Sequence, residues 1–507
     1  MKKIILIALI GISNVLNAQL NKYAQKYEKL ITQQLLKEYL TVLASDEMEG
    51  RETATPGQQK AAAYIENEFK KSGLLPGNKN SYLQLYNVYK DYGVQPQLSI
   101  YNMQFGANKE VAVNFNNTVT GNWNINEVVF IGNGIANEED IKNIATALKD
   151  KWVMFLELSK EDMNKPDDFY PQGRFYANPR IMKLVAQQVK GVLLVSKQFD
   201  KPDYTATTTA EAMYMKQSTA FPFPVVHISY RAAGSICNKV ITNYKQLAQI
   251  PVGTYATNIN LSVNKKTDVL QSSNVLAIVE GSDKKDEYVV LTAHYDHLGK
   301  RGDKIYYGAD DDGSGTSAVM AMAHAFAKAK KEGKGPRRTI VFMAVSGEEK
   351  GLWGSEYYTQ NPVFPLAKTT VNLNTDMVGR IDPSYKGDST NYVYIIGDDK
   401  ISSDLAPITD SINTRFKIEL DRRYNDVKDP NRFYYRSDHY NFAKNGVPII
   451  FYFNGVHPDY HKPSDTVDKI NFAVMEKRVK FIFNTAWAMA NRDTMLKRDK
   501  PLNVPPR

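Results

Sequence analysis

The chain has 507 residues, 43% hydrophobic and 23% charged, with 7 histidines, 1 cysteine and a formal net charge of +9. These fractions exclude collagen-like, low-complexity and disordered classes, and the length accommodates two or three domains with full cores. Cys237 alone excludes a disulfide framework and a thiolate metal cluster, so any bound metal must be held by His, Asp and Glu.

Residues 1–18 read as a secretory signal peptide. Lys2 and Lys3 form a basic start, Ile4 to Ile12 an apolar run too short to span a bilayer, and Ala18 a small residue before a cut at Gln19. No cysteine follows for a lipid anchor, and no later stretch is long and apolar enough for a transmembrane helix. An exported protein, periplasmic or secreted, is expected. Removing the leader lowers the charge from +9 to +7. The remaining cations are scattered, with no basic stripe interleaved with aromatics, so nucleic acid is not an expected partner. Oligomeric state is not readable.

Residues 19–104 read as the first part of a main domain. Thr55, Pro56 and Gln58 mark a helix start, Ala61, Ala62, Ile65 and Phe69 recur at helical spacing, and Gly73 marks the stop. Residues 105–262 read as an inserted, mostly β domain without chemistry of its own. Its short β-type runs are 152–156, 191–195 and 224–228, with one helix at 178–189. From 263 to 507 strands and helices alternate: strands at 289–293, 339–345, 371–373, 392–396 and 447–453, and a helix over 316–331. That pattern predicts an α/β fold with a mixed, mostly parallel central sheet flanked by helices on both faces.

The histidines and acidic residues fall just past these strands. His294, Asp296 and His297 follow the first, Glu348 and Glu349 the second, and Asp376 the third; Asp310, Asp311 and Asp312 precede the helix at 316, and His461 lies beyond the fifth strand. The crevice past the strand C-termini is where open α/β sheets bind ligands. Packed together without cations, several of these carboxylates would have to protonate. Two divalent cations resolve the repulsion, and imidazole plus carboxylate without sulfur suits zinc. Adjacent glutamates fit a division between metal binding and proton transfer. His227 and His324 read as structural.

At these residues the sequence resembles the secreted di-zinc aminopeptidases of metallopeptidase family twenty-eight, whose fold is shared by glutamate carboxypeptidase, glutaminyl cyclase and transferrin receptor. The resemblance rests on AHYDHLG (293–299), YGADDDGSGT (307–316), SGEEKGLWGS (346–355), NTDMVGR (374–380), SDHYNFAKNGVPIIFY (437–452) and DYHKPSDTVDKIN (459–471). MEGRETATPGQQKAAAYI resembles the opening of bacterial members. The resemblance implies two zinc ions: His294 and Asp376 on one, Glu349 and His461 on the other, and Asp311 bridging both. It implies Glu348 as general base, Asp296 as the carboxylate orienting His294, and Tyr460 as a donor to the oxyanion. His439 and His457 match no ligand position and are expected to shape the pocket or hydrogen-bond. The insert resembles a protease-associated domain, and peptides are the implied substrates. Carboxypeptidase or dipeptidase, glutaminyl cyclase and an inactive binding protein are the alternatives; the last would show missing ligands, and all five are present here.

Overall fold

Period-two alternation assigns each strand residue to one of two cores. In the computed structural model, β1 (Lys265–Val279), β2 (Lys284–His294), β3 (Arg338–Val345), β4 (Thr369–Thr375), β5 (Tyr392–Ile396), β6 (Glu419–Asp421) and β7 (Ile449–Phe453) belong to one ten-stranded mixed sheet, in the order β6-β5-β7-β4-β2-β3-β1. The structure describes residues 22–114, 118–135, 140, 147–171, 177–201, 211–215 and 221–505. The expected leader, residues 1–18, lies outside them.

Val289, Leu291, Ala293, Ile340, Phe342, Ala344, Ile450 and Tyr452 pack into one core. Their neighbours Val290, Val341, Met343, Val345, Ile449, Phe451 and Phe453 pack into the other. Burial on both faces is why these strands read as continuous apolar runs. Helices Gln33–Leu43, Pro56–Ser72, Gly315–Lys331 and Phe472–Asn491 supply the first core. The helix His439–Lys444 contributes Phe442 and Ala443 to the second, and Trp353–Gln360 contributes Tyr358. The fold is thus the expected mixed α/β sheet with helices on both faces.

β3, β2, β4 and β7 form an uninterrupted parallel run. β1 joins antiparallel to β3, and β5 antiparallel to β7. All four parallel strands therefore end at the same edge, and the loops that leave them converge there.

The chain forms two compact units: Val88–Leu270, and the remainder up to Asn87 and from Gln271. The first has its own eight-stranded sheet, in the order Met103–Phe105, Gln97–Ile100, Gly253–Val263, Gly121–Phe130, Trp152–Leu156, Gly191–Val195, Val225–Ile228 and Val111–Val113. Two helices, Asn178–Ala186 and Tyr230–Ile236, accompany it. The unit is wider than the expected 105–262. Gln97–Ile100 pairs with Gly253–Val263, and buried Asp91 accepts from Lys265 Nζ at 2.6 Å, so both flanks are tied to the same body. Among the described residues no helix is long and apolar enough to cross a membrane.

Candidate metal centre

β2 ends at His294, whose main-chain N–H donates to Asp312 Oδ2 at 3.1 Å and whose carbonyl accepts from Thr316 Oγ1 at 2.7 Å. The strand end is thereby fastened to the turn Ala309–Ser314 and the helix that follows. Within the Asp310–Asp312 triplet the three carboxylates divide the work. Asp310 Oδ1 accepts from the Gly379 N–H at 2.7 Å, and Asp312 Oδ1 from the N–H groups of Gly315 and Met377 at 2.8 and 3.0 Å. Asp311 turns toward His294 and His461. Its own N–H, and that of Asp310, donate to Asp465 Oδ2 at 3.2 and 3.0 Å.

Two groups of side chains share Asp311. In the first, His294 Nε2 stands 3.2 Å from Asp311 Oδ1 and 3.6 Å from Asp376 Oδ1. In the second, His461 Nε2 stands 3.1 Å from Asp311 Oδ2 and 3.3 Å from Glu349 Oε2. Residues up to 167 positions apart in the numbering, His294 and His461, are thus joined through one carboxylate. His297, for which the sequence suggested no separate role, also enters the second group: its Nδ1 lies 2.8 Å from Glu349 Oε1 and 3.7 Å from Asp311 Oδ2. His294, Asp311 and Asp376 form one set of atoms close enough to share an ion; His297, Asp311 and Glu349 form another.

Supporting contacts fix these side chains. Ser437 donates to Asp376 Oδ2 at 2.6 Å and itself accepts from Asn374 at 2.8 Å. His294 Nδ1 lies 3.0 Å from the Asp296 carbonyl and 3.7 Å from its carboxylate. That carboxylate accepts from Thr53 Oγ1 at 2.6 Å and from the Glu348 N–H at 3.2 Å, so Asp296 also places the backbone of Glu348. His457 Nε2 faces Asp310 Oδ2 at 3.2 Å, and His439, buried, meets the Tyr434 carbonyl at 2.8 Å and stacks on Phe451. Both lie outside the two donor sets. His324 meets Ser72 at 3.3 Å on the helical layer, far in sequence from the strand ends.

Beneath the site lies a residue that the sequence did not single out. Arg51 is fully buried and donates to the carbonyls of Tyr295, Leu43, Tyr307 and Gly308 at 2.8, 2.6, 2.8 and 3.0 Å. One guanidinium pins both segments that flank the acidic turn. Arg51 stands inside MEGRETATPGQQKAAAYI and Asp465 inside DYHKPSDTVDKIN, but neither stretch says which carbonyls or N–H groups these side chains meet.

The electrostatics calls for cations. Burial opposes it, yet Asp376, Asp296 and Asp311 hold the His294 imidazole well above its usual range. Likewise Asp311 and Glu349 raise His461 to about 10 against its burial. Burial, with Asp376 nearby, pushes the Asp312 carboxyl well up. Divalent ions held by these groups would compensate the clustered carboxylates and would bind with release of protons. The buried atoms Asp311 Oδ2, Glu349 Oε1 and His297 Nδ1 have no hydrogen-bond partner among the described residues. Unpaired buried lone pairs converging from oxygen and nitrogen donors fit metal ligation, and the absence of sulfur fits zinc.

A cleft opens beside the donors, lined by Asp311, Glu348, Asp376 and Tyr460 and walled by Met377, Phe433, Phe451 and Phe453. Burial, together with Glu349 and Asp376, pushes the Glu348 carboxyl well up. Tyr460 stacks on His461 with ring centroids 3.8 Å apart, and its hydroxyl accepts from Arg436 Nη2 at 3.2 Å.

Residues 274–486, which include every donor just described, match the family described as Peptidase family M28. The chain is 31% identical over 225 residues to a probable leucine aminopeptidase of Arthroderma otae, covering 43% of this chain and 57% of that protein. It is 38% identical over 123 residues to a probable zinc metalloprotease of Leptosphaeria maculans (23% and 25% covered). To a probable glutamate carboxypeptidase of Arabidopsis thaliana it is 32% identical over 154 residues (30% and 22% covered). The matched region thus spans between about a fifth and just over half of these curated relatives. Among solved structures, an aminopeptidase from Aneurinibacillus sp. strain AM-1 superposes with a TM-score of 0.53 at 19% identity, over 96% of this chain and 100% of that one, and so shares the fold.

Proposed function

We propose that this protein is an exported di-zinc metallopeptidase of family M28, acting as an aminopeptidase on the N-terminal residues of peptides. The observation that carries the reading is Asp311, one carboxylate shared by two imidazole–carboxylate sets with Glu348 beside them on the cleft wall. His294, Asp376 and Asp311 would hold one ion, and Asp311, Glu349 and His461 the other. Bound there, paired ions supply Lewis acidity toward a carbonyl and make water more acidic.

The chain's own groups do the rest. Glu348, its carboxyl raised by burial, takes the proton of the attacking water and returns it to the departing amine. Tyr460 offers its hydroxyl to the oxygen that gains charge, in a cleft where such a donor is already in place. Asp296 holds Glu348 through its N–H and His294 through its carbonyl. The test is zinc content with activity on free and N-blocked aminoacyl substrates, with and without chelator. Cleavage of free substrates only, lost with chelator, supports the reading; equal cleavage of N-blocked ones contradicts it.

One observation favours a second reading. Arg436 lines the same cleft and has no carboxylate partner among the described residues, which suits capture of a substrate carboxylate. A carboxypeptidase or dipeptidase would then cleave peptides with a free C-terminus and reject amidated ones. Export rests on the pattern of residues 1–18; N-terminal sequencing of the mature protein tests it, and a start at Met1 in the exported fraction would refute cleavage. The β-rich unit Val88–Leu270 is proposed as the protease-associated-like insert.

A further inference from the structure

We propose that His297 is an additional protein donor of the second ion, through Nδ1. Asp311, Glu349, His461 and His297 would then enclose that ion, while His294, Asp311 and Asp376 leave the first one open toward Glu348 and the cleft. The inference rests on the di-metal reading above and adds to it an asymmetry between the two sites.

Four observations carry it. His297 is 0% exposed, yet neither ring nitrogen has a hydrogen-bond partner, a costly state for a buried imidazole. Its Nδ1 is 2.8 Å from Glu349 Oε1, a distance short enough for a hydrogen bond, but the two atoms are not aligned for one and Glu349 Oε1 is itself unpartnered. Two donors side by side that do not point at each other are arranged as ligands to a common third atom. Asp311 Oδ2, the third member of the set, is likewise unpartnered. The backbone that carries the ring is also held in place: the His297 main-chain N–H donates to the Arg51 carbonyl at 3.2 Å. A Cβ on Gly308, which has φ +53°, would come within 2.5 Å of the His297 ring. The chain keeps a glycine where the imidazole needs the room.

The chemistry separates the sites. A zinc position closed by protein donors behaves as a retained, structural one, whereas three donors leave a coordination position for water and substrate. His461, whose side chain is 38% exposed, cannot by itself shield the second ion; His297 closes it from inside.

The experiment measures zinc per chain during stepwise chelation of the whole protein, for wild type, His297→Ala and His297→Gln. X-ray absorption counts the imidazoles around zinc. Wild type is expected to lose one ion early and keep the other, with three imidazoles shared by two ions. His297→Ala should lose the second ion with the first, show two imidazoles, and lose more affinity than the roughly 10–100-fold that removal of a supporting hydrogen bond costs. His297→Gln, which keeps a polar group able to reach Glu349 but no imidazole, should behave like the Ala variant. The proposal is overturned if His297→Gln retains the second ion as wild type does, or if the imidazole count is unchanged. It is also overturned if the metal-free variants melt far below metal-free wild type, since the role would then be structural. If wild type itself binds fewer than two ions, the di-metal reading fails, a result distinct from loss of His297 alone.

Discussion

A carboxylate that lines a cleft and makes no fixed side-chain contact to a cation is the residue whose removal separates binding from turnover. Glu348 meets its surroundings through the backbone N–H to Asp296, not through its carboxylate. Glu348→Gln should therefore keep its zinc and its fold while turnover falls about 10²–10⁴-fold; zinc analysis beside steady-state rates checks it. His439 supplies the pH prediction. Burial lowers its pKa to about 3, against an ordinary 6.5. Below 6.5 the unfolded chain takes up a proton that the native imidazole refuses, so this contribution to stability falls as pH drops from 6.5 toward 3. At pH 5 the loss is about 2 kcal/mol. His439→Gln, which keeps a donor for the Tyr434 carbonyl, should flatten this limb in denaturant titrations with chelator present throughout. At this scale the sequence was unevenly legible. His294, Asp311, Glu348, Glu349, Asp376 and His461 stood in motifs at strand ends. His297 stood in one of those motifs too, but only packing against Gly308 and Glu349 shows where its ring goes. Asp312 stood in the acidic triplet before the helix, and only the structure shows that its buried carboxylate ties β2, the acidic turn and the segment after β4.

Elements were legible wherever local chemistry and burial agreed. The helix Pro56–Ser72 begins at Thr55, whose side chain accepts from the Gln58 N–H, and ends at Gly73 with φ +80°. Thr55→Ala should cost about 1 kcal/mol. Gly73→Ala should cost about 1 kcal/mol as well, because a Cβ disfavours the left-handed region although nothing crowds it here. Both are read from thermal or denaturant midpoints. β2, β3, β5 and β7 announced themselves as apolar runs, whereas β4 shows only Val371 and Leu373 between polar residues. β1 carries such a run only in its last five residues, 275–279; Ser272, Ser273 and Asn274 before it are polar yet buried, Asn274 donating to Gln84 and to the Gly354 carbonyl at 3.1 and 2.9 Å. β6 is three residues long, too short for any period to show.

For the whole molecule, the alternation of strands and helices after 263 was enough to place the chemistry at one sheet edge, because a parallel run leaves no other edge for the loops. The pairing of Gln97–Ile100 with a strand more than 150 positions later is a long-range choice that no local window contains. The proposed metal ligands all lie in the unit that resumes at Gln271, so ion binding should stabilise that unit by mass action. Calorimetry is expected to show a transition that falls in temperature with chelator and a second, from Val88–Leu270, that does not; a parallel fall of both would contradict independent cores.

The central claim is that one carboxylate holds two ions. Its most direct test is zinc per chain in wild type and in Asp311→Ala, each verified as folded by circular dichroism. The account predicts about two ions in wild type, as two donor sets share Asp311, and loss of both in the variant. A wild type saturating at one ion, or a variant that retains two, would contradict it.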